Sequence, residues 1–155
     1  MPVYKVDIDQ SNRLENSGPT YLALVNHISY TIKIPTKIKS MGRELLEAKN
    51  IPKKQIYPFL WAACVFLLLK NHLNRLAKEA GKIVVDDEFD GHQDIIKNAL
   101  LEYIRNHYGE FPEHRIAIGS IGKSSPAHVK ALRTKRGKEP VNRVITKKEF
   151  WEVLP

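Results

Sequence analysis

The stretch VYKVDIDQSN, from Val3 to Asn12, decides how the rest of the chain is interpreted. It is predicted to form the first strand of the protein, yet it carries two aspartates, Asp7 and Asp9. Strand interiors are unfavourable places for aspartate. Because residues two apart share one face of a strand, both carboxylates are expected on the same side of the sheet. Such placement calls for a partner that neutralises the charge.

Two further strands and two helices follow. The segments YLALVNHISY (21–30) and TIKIPTKIKS (31–40) have the composition of strands, and Pro35 favours a sheet edge for the second. A short helix is predicted from Ser40, and a long buried helix from Pro58 to Ala80.

The second half of the chain alternates strands with helices. The predicted elements are a strand in KIVVDDEF (82–89), an amphipathic helix ending at Gly109, a strand in HRIAIGSIG (114–122), a helix capped by Ser124 or Ser125, and a terminal helix with a Thr146–Glu149 capping box. Three strands that run together and then alternate with helices predict an α/β fold with a mixed five-stranded sheet covered by helices.

Length and composition predict one soluble domain. The chain has 155 residues, of which 43% are hydrophobic and 27% charged. Its one cysteine, Cys64, lies in an apolar run and is interpreted as a core residue. Internal disulfides and zinc sites built from several cysteines are excluded.

No membrane segment is expected. The N-terminal residues lack the basic and apolar regions of a signal peptide. The most apolar segment, Ile56 to Leu69, is shorter than the roughly 20 residues that a membrane span needs, so a buried helix is the preferred interpretation. A cytoplasmic location fits these features.

Positive charge is concentrated near the C-terminus. The chain has a net charge of +8, and the segment Lys130–Lys148 holds eight basic residues and one acidic residue. This concentration predicts a nucleic-acid partner whose phosphates contact the segment, although a solvated tail is the alternative. The candidate phosphate-binding residues are Lys123, Lys130, Arg133, Lys135, Arg136, Lys138 and Arg143.

Acidic residues also end the fourth predicted strand, and sites in open α/β sheets form at strand ends. Carboxylates from separate strands repel one another unless a cation neutralises them, and hard oxygen ligands suit Mg²⁺ or Mn²⁺. The metal-ligating and catalytic candidates are Asp9, Asp86 and His128, with Asp7 as a further catalytic candidate. Each has a structural alternative, namely a turn, a strand end or a helix end. Asp87 and Glu88 are interpreted as solvated loop acids.

The segments DIDQSN, IVVDDE and SPAHVKA, in this strand order, resemble the ribonuclease H-like superfamily. Within it, the resemblance is nearest to Holliday-junction resolvases and to poorly characterised prokaryotic nuclease-like proteins with an Asp-Glu-Ser-like first strand. The resemblance covers roughly Val3 to Leu132 and implies a ribonuclease H-like domain over 1–132, with 133–155 as a basic segment and short helix of the same domain. It also implies that Asp9 bridges two metal ions, while Asp86 and His128 complete the site.

The implied activity is hydrolysis of a nucleic-acid phosphodiester by a metal-activated water, leaving a 3′ hydroxyl and a 5′ phosphate. The superfamily usually adds an acid on its first long helix, for which Glu44 and Glu47 are the candidates. A homodimer formed through the apolar helix, as in resolvases, is a further implication. The alternatives are a nucleic-acid-binding protein of the same fold without catalysis, and an interaction protein whose charge is incidental.

Overall fold

The computed structural model describes residues 4–154, so the predicted strand start at Val3 lies outside the described residues. The central element is a mixed sheet in the order β5-β4-β1-β2-β3-β6. Its strands are β1 (Tyr4–Ser11), β2 (Thr20–Asn26), β3 (Ile28–Ile34), β4 (Ala80–Asp86), β5 (Ile116–Gly119) and β6 (Arg143–Val144). Strands β1, β2 and β3 are antiparallel neighbours, whereas β4 is parallel to β1 and β5 is parallel to β4.

Within the described residues, six α-helices accompany the sheet. They are α1 (Thr36–Ala48), α2 (Ile56–Leu69), α3 (Leu73–Glu79), α4 (Gln93–His107), α5 (Pro126–Lys135) and α6 (Lys147–Val153). The α/β class is therefore confirmed, but the prediction of five strands is wrong because β6 adds a sixth. This strand has only two residues, paired with Ile32 and Lys33, and is too short to leave a sequence pattern.

The two faces of the sheet differ in what covers them. Val6 and Ile8 of β1 are fully buried in the main core together with Leu67 of α2. Because side chains alternate along a strand, Asp9 lies on the opposite face, where α5 packs against β1 and β2. Small side chains permit this close packing, since Ala127 of α5 is fully buried.

Helix α2 forms the centre of the core, and Cys64 is buried there as predicted. The helical stretch Lys53–Glu79 has the length and composition of a membrane span, but 72% of its most apolar window is buried inside the protein. Such burial is typical of the core helix of a soluble protein.

Several element boundaries differ from the sequence-based prediction. The second and third strands meet at a tight turn through Asn26 and His27, and His27 has a positive φ of 57°. Pro35 ends β3 and precedes α1, so Ser40 lies inside that helix instead of capping it. The predicted helix 58–80 is interrupted by a 3₁₀ turn at Lys70–His72.

The C-terminal residues are integrated into the same structure. Asn142 holds the edge of β3, because its side-chain oxygen accepts a hydrogen bond from the Thr31 N–H at 2.9 Å. The predicted capping box of α6 is present between Thr146 and Glu149. Phe150 of α6 is 1% exposed and belongs to the main core.

Candidate metal centre

Asp9 and Asp86 lie side by side on neighbouring parallel strands. Ile8 of β1 is in register with Val85 of β4, so the next residue of each strand is an aspartate. Both aspartates lie near the carboxyl ends of their strands and project from the face opposite to the main core. The convergence of these two predicted residues therefore follows from the parallel pairing of β1 with β4.

Glu88 joins the two aspartates. One ligand atom each from Asp9, Asp86 and Glu88 lies within 4.8 Å of the others. We refer to these three residues as the acidic cluster. The sequence-based interpretation of Glu88 as a solvated acid missed its place here, because the structure buries most of its side chain, which is 17% exposed. The spacing of Asp86 and Glu88, two residues apart in an acidic run, was the available signal.

Asp9 is 2% exposed and is held at both carboxylate oxygens. Its Oδ1 accepts a hydrogen bond from the Gln10 N–H at 2.7 Å, and its Oδ2 lies 2.9 Å from Nδ1 of His128. Burial is the main cause that raises the pKa of Asp9 to about 6, and the charge of Asp86 adds to it. The hydrogen bonds from Gln10 and His128 oppose the rise.

Asp86 is held from the other side by the chain that follows β5. Its Oδ1 accepts a hydrogen bond from the Ile121 N–H at 2.9 Å. The loop between β5 and α5 therefore orients this carboxylate, whereas the strand itself only places it beside Asp9.

Glu88 is flanked by Arg13 from the loop after β1. Nε of Arg13 lies 3.7 Å from Oε2 of Glu88, and the guanidinium also donates to the Glu88 carbonyl oxygen at 2.6 Å. The same guanidinium lies over the ring of Phe89. Burial, followed by the hydrogen bond and charge of Asp86, raises the pKa of Glu88 to about 8, while Arg13 opposes the rise.

His128 reaches the acidic cluster from the first turn of α5. Ser125 caps this helix by accepting the His128 N–H at 3.2 Å, and Pro126 begins the helix, as predicted. The cap fixes where the helix starts and so directs the imidazole towards Asp9. In this arrangement Nδ1 contacts the Asp9 carboxylate, so the structure places His128 beside the cluster.

Asp7 lies apart from the acidic cluster. Its Oδ1 is 3.5 Å from Nζ of Lys5. The two acids considered on the first long helix, Glu44 and Glu47, are both exposed on α1, and Glu47 is 3.6 Å from Arg43. Glu88, not a residue of α1, therefore supplies the third carboxylate.

The predicted phosphate-binding residues fall into two groups. Three have acidic partners: Lys130 and Arg133 contact Glu139 at 2.7 and 3.1 Å, and Arg143 pairs with Glu149. The other four, Lys123, Lys135, Arg136 and Lys138, are exposed. Among these seven residues, the positive charge without an acidic partner therefore lies at the two ends of α5.

The donor set of the acidic cluster suits a hard divalent cation. Its three side chains offer only carboxylate oxygens, the ligands that Mg²⁺ and Mn²⁺ prefer. The raised pKa values of Asp9 and Glu88 mean that ionising them together is unfavourable without a neutralising charge.

Comparison of the chain with family models, with curated proteins and with solved structures finds no match.

Proposed function

We propose that this protein is a metal-dependent nuclease that hydrolyses nucleic-acid phosphodiester bonds. The observation that carries the proposal is the convergence of Asp9, Asp86 and Glu88, whose ligand atoms lie within 4.8 Å of one another at the ends of two parallel strands. A group of buried and half-buried carboxylates is unfavourable by itself, and a divalent cation reverses that cost.

The acidic cluster would hold Mg²⁺ or Mn²⁺ through its carboxylate oxygens. A bound divalent ion supplies an activated water and stabilises the charge on the leaving oxygen of a phosphodiester. His128 orients Asp9 through the 2.9 Å contact with Oδ2, and the Ile121 N–H orients Asp86. The contact from His128 favours the ionised form of Asp9.

The sheet supports the ribonuclease H-like part of the proposal. Three antiparallel strands, with two parallel strands continuing beyond β1, form the kind of mixed sheet that the resemblance to this superfamily implies. Asp9 and Asp86 occupy the strand ends at which that resemblance places metal ligands. The short strand β6 extends the sheet at the far side of β3 without approaching these ends.

Exposed cations near the acidic cluster fit a phosphate backbone. Lys123 precedes α5, which begins next to the cluster, whereas Lys135 ends this helix and Arg136 and Lys138 follow it. Lys130, Arg133 and Arg143 are expected to contribute less to binding, because their charges are already compensated by Glu139 and Glu149.

The decisive experiment measures cleavage of labelled branched, duplex and hybrid substrates with Mn²⁺ or Mg²⁺. Asp9→Asn and Asp86→Asn are expected to abolish cleavage while binding of nucleic acid remains. Glu44→Gln is the matched control, because this exposed acid lies on α1 away from the cluster. Cleavage that persists unchanged in both aspartate variants would overturn the nuclease proposal.

A second function is favoured by one observation. The acid usual on the first long helix is not supplied by Glu44 or Glu47, both of which are exposed. A nucleic-acid-binding protein of the same fold without catalysis would need no complete site. This alternative predicts salt-dependent binding in the presence of a chelator and no cleavage with any divalent ion.

A further inference from the structure

The sheet face that carries the acidic cluster continues along two parallel strands to a pair of lysines. Lys5 of β1 is in register with Lys82 of β4. Each lysine lies four residues before the aspartate of its own strand, Asp9 or Asp86. Residues an even number apart project from the same face of a strand, so both lysines share the face of the cluster and lie at its opposite end.

These two lysines line a single open hollow together with an imidazole. The hollow is formed by Tyr4, Lys5, Gly81, Lys82 and His114. Like charges directly across from each other on neighbouring strands are destabilising. An anion bound between the two lysines would offset this cost, and their charge complements a phosphate.

Nearby carboxylates compensate this charge only in part. Asp7 lies 3.5 Å from Lys5, whose side chain nevertheless remains 60% exposed. Glu113, which adjoins His114, is instead 3.6 Å from Lys97 of α4. Within residues 4–154, Lys82 has no carboxylate within 4.0 Å, so its ammonium group is available to a ligand.

The surface between the hollow and the acidic cluster is only partly covered by other elements of the fold. Helix α5 packs over β1 and β2, which leaves the part of this face on β4 and β5 less covered. Val84 is in register with Ala117, and Asp86 with Gly119. All four residues are half-buried, and the two from β5 are small. A polymer chain therefore meets little steric obstruction along these strands.

The separation matches a short length of a nucleic-acid strand. Four residues of a parallel strand span roughly 13 Å at about 3.3 Å each. Phosphates of one strand advance about 3.4 Å per nucleotide along the helix axis and also wind around it, so their direct separation is larger and the hollow lies about two or three nucleotides from the cluster.

We propose that the hollow at Lys5, Lys82 and His114 is a second phosphate-binding site for the nucleic-acid strand whose phosphodiester lies at the acidic cluster. The inference rests on the proposed function and specifies the path of its substrate. The strand runs along the exposed face of β4 and β5, parallel to the strands, with one phosphate held a few nucleotides from the bond that is cut.

The test compares Lys82→Ala with Lys54→Ala, which removes the same charge from an exposed position on the turn Lys53–Gln55. Binding of fluorescent single-stranded oligonucleotides is measured in a chelator at several salt concentrations. Lys82→Ala is expected to weaken binding several-fold and to reduce the slope of log affinity against log salt by about one. Lys82→Arg keeps the charge and is expected to restore both values.

Substrate length supplies the second measurement, made with Mn²⁺ and oligonucleotides extended stepwise on either side of the cut. The wild-type protein is expected to show a lower KM once one side exceeds about two or three nucleotides. In Lys82→Ala, KM is expected to stay the same as the substrate is lengthened, whereas kcat is expected to equal that of the wild-type protein. Cleavage by the wild-type protein with no effect of Lys82→Ala would overturn this inference alone. If the wild-type protein neither binds nor cleaves nucleic acid, the proposed function is overturned as well.

Discussion

Nδ1 of His128 lies 2.9 Å from Oδ2 of Asp9, although 119 residues separate them in the chain. The contact joins the first strand to the first turn of α5. An ionised Asp9 accepts a hydrogen bond from the imidazole N–H, which favours the charged carboxylate in a buried position. In the proposed site, His128 would thus favour the ionised form of Asp9, which is the form that binds a cation.

Removal of this imidazole should shift the pH dependence of metal binding. Because His128 opposes the raised pKa of Asp9, His128→Ala is expected to raise that pKa further above about 6. Mn²⁺ binding, followed by electron paramagnetic resonance, should weaken more at pH 6 than at pH 8, where Asp9 is ionised in both proteins. His107→Ala, at the exposed end of α4, is the control. An equal loss of affinity at both pH values would argue against this role for His128.

Replacement of Glu88 tests its place as the third carboxylate. Glu88→Gln is expected to lower Mn²⁺ affinity roughly tenfold, because a charged ligand is lost. Excess Mn²⁺ should then raise the Tm of the wild-type protein clearly and that of the variant only slightly. Glu44→Gln should respond to Mn²⁺ like the wild-type protein, and a Glu88→Gln response of the same size would remove Glu88 from the site.

Without metal, the protein should lose stability as the pH rises. The pKa values of Asp9 and Glu88 in the folded protein are about 6 and about 8, above their ordinary values of 3.8 and 4.5. At a pH between its ordinary pKa and its pKa in the folded protein, each carboxyl group keeps a proton in the folded protein that it has released in the unfolded chain. The free energy of unfolding therefore falls with increasing pH, by up to about 1.4 kcal/mol per pH unit for each such proton.

The measurement is urea-induced unfolding of the metal-free protein at pH 5, 6.5 and 8. The double variant Asp9→Asn/Glu88→Gln removes these two groups, whereas the titrating groups away from the acidic cluster are common to both proteins. The variant should gain stability relative to the wild-type protein as the pH rises. A difference that stays constant from pH 5 to pH 8 would contradict the raised pKa values.

Gly42 tests the packing of α1 against α2 and α6. A Cβ atom placed there would lie 2.6 Å from a methyl carbon of Leu60 and 2.6 Å from a ring carbon of Phe150. Gly42→Ala is therefore expected to lower the free energy of unfolding by about 1–3 kcal/mol through overpacking. Ser40→Ala, exposed on the same helix, controls for helix propensity. A Gly42→Ala protein that is more stable than the wild-type protein would show that this interface adapts.

Thr146 tests how firmly the C-terminal residues are held. The Thr146 side chain caps α6 by accepting a hydrogen bond from the Glu149 N–H. Thr146→Ala removes this cap and is expected to lower the free energy of unfolding by about 0.5–2 kcal/mol. Lys147→Ala, at the next and exposed position, should change stability little. Chemical denaturation of both variants provides the comparison. Two equal and small effects would contradict a stabilising role for this cap.

Local sequence signals predicted the elements that local interactions control. The start of α5 at Ser125 and Pro126, and the capping box at Thr146, follow from hydrogen bonds within a few residues of one another. The buried helix around Cys64 follows from a continuous apolar run. Boundaries that depend on a turn or on pairing with a distant strand, such as the hairpin at His27 and the strand β6, were not predictable in this way.

The sequence by itself determined that acidic residues end two of the strands, because the ends of strands can be predicted from composition and spacing. Only the tertiary structure decided which acids meet. Parallel pairing of β1 with β4 sets Asp9 beside Asp86, and the loop bearing Arg13 encloses Glu88 with them. The same pairing leaves Asp7 with Lys5. Register and burial depend on contacts between segments far apart in the chain, so no local pattern carries them.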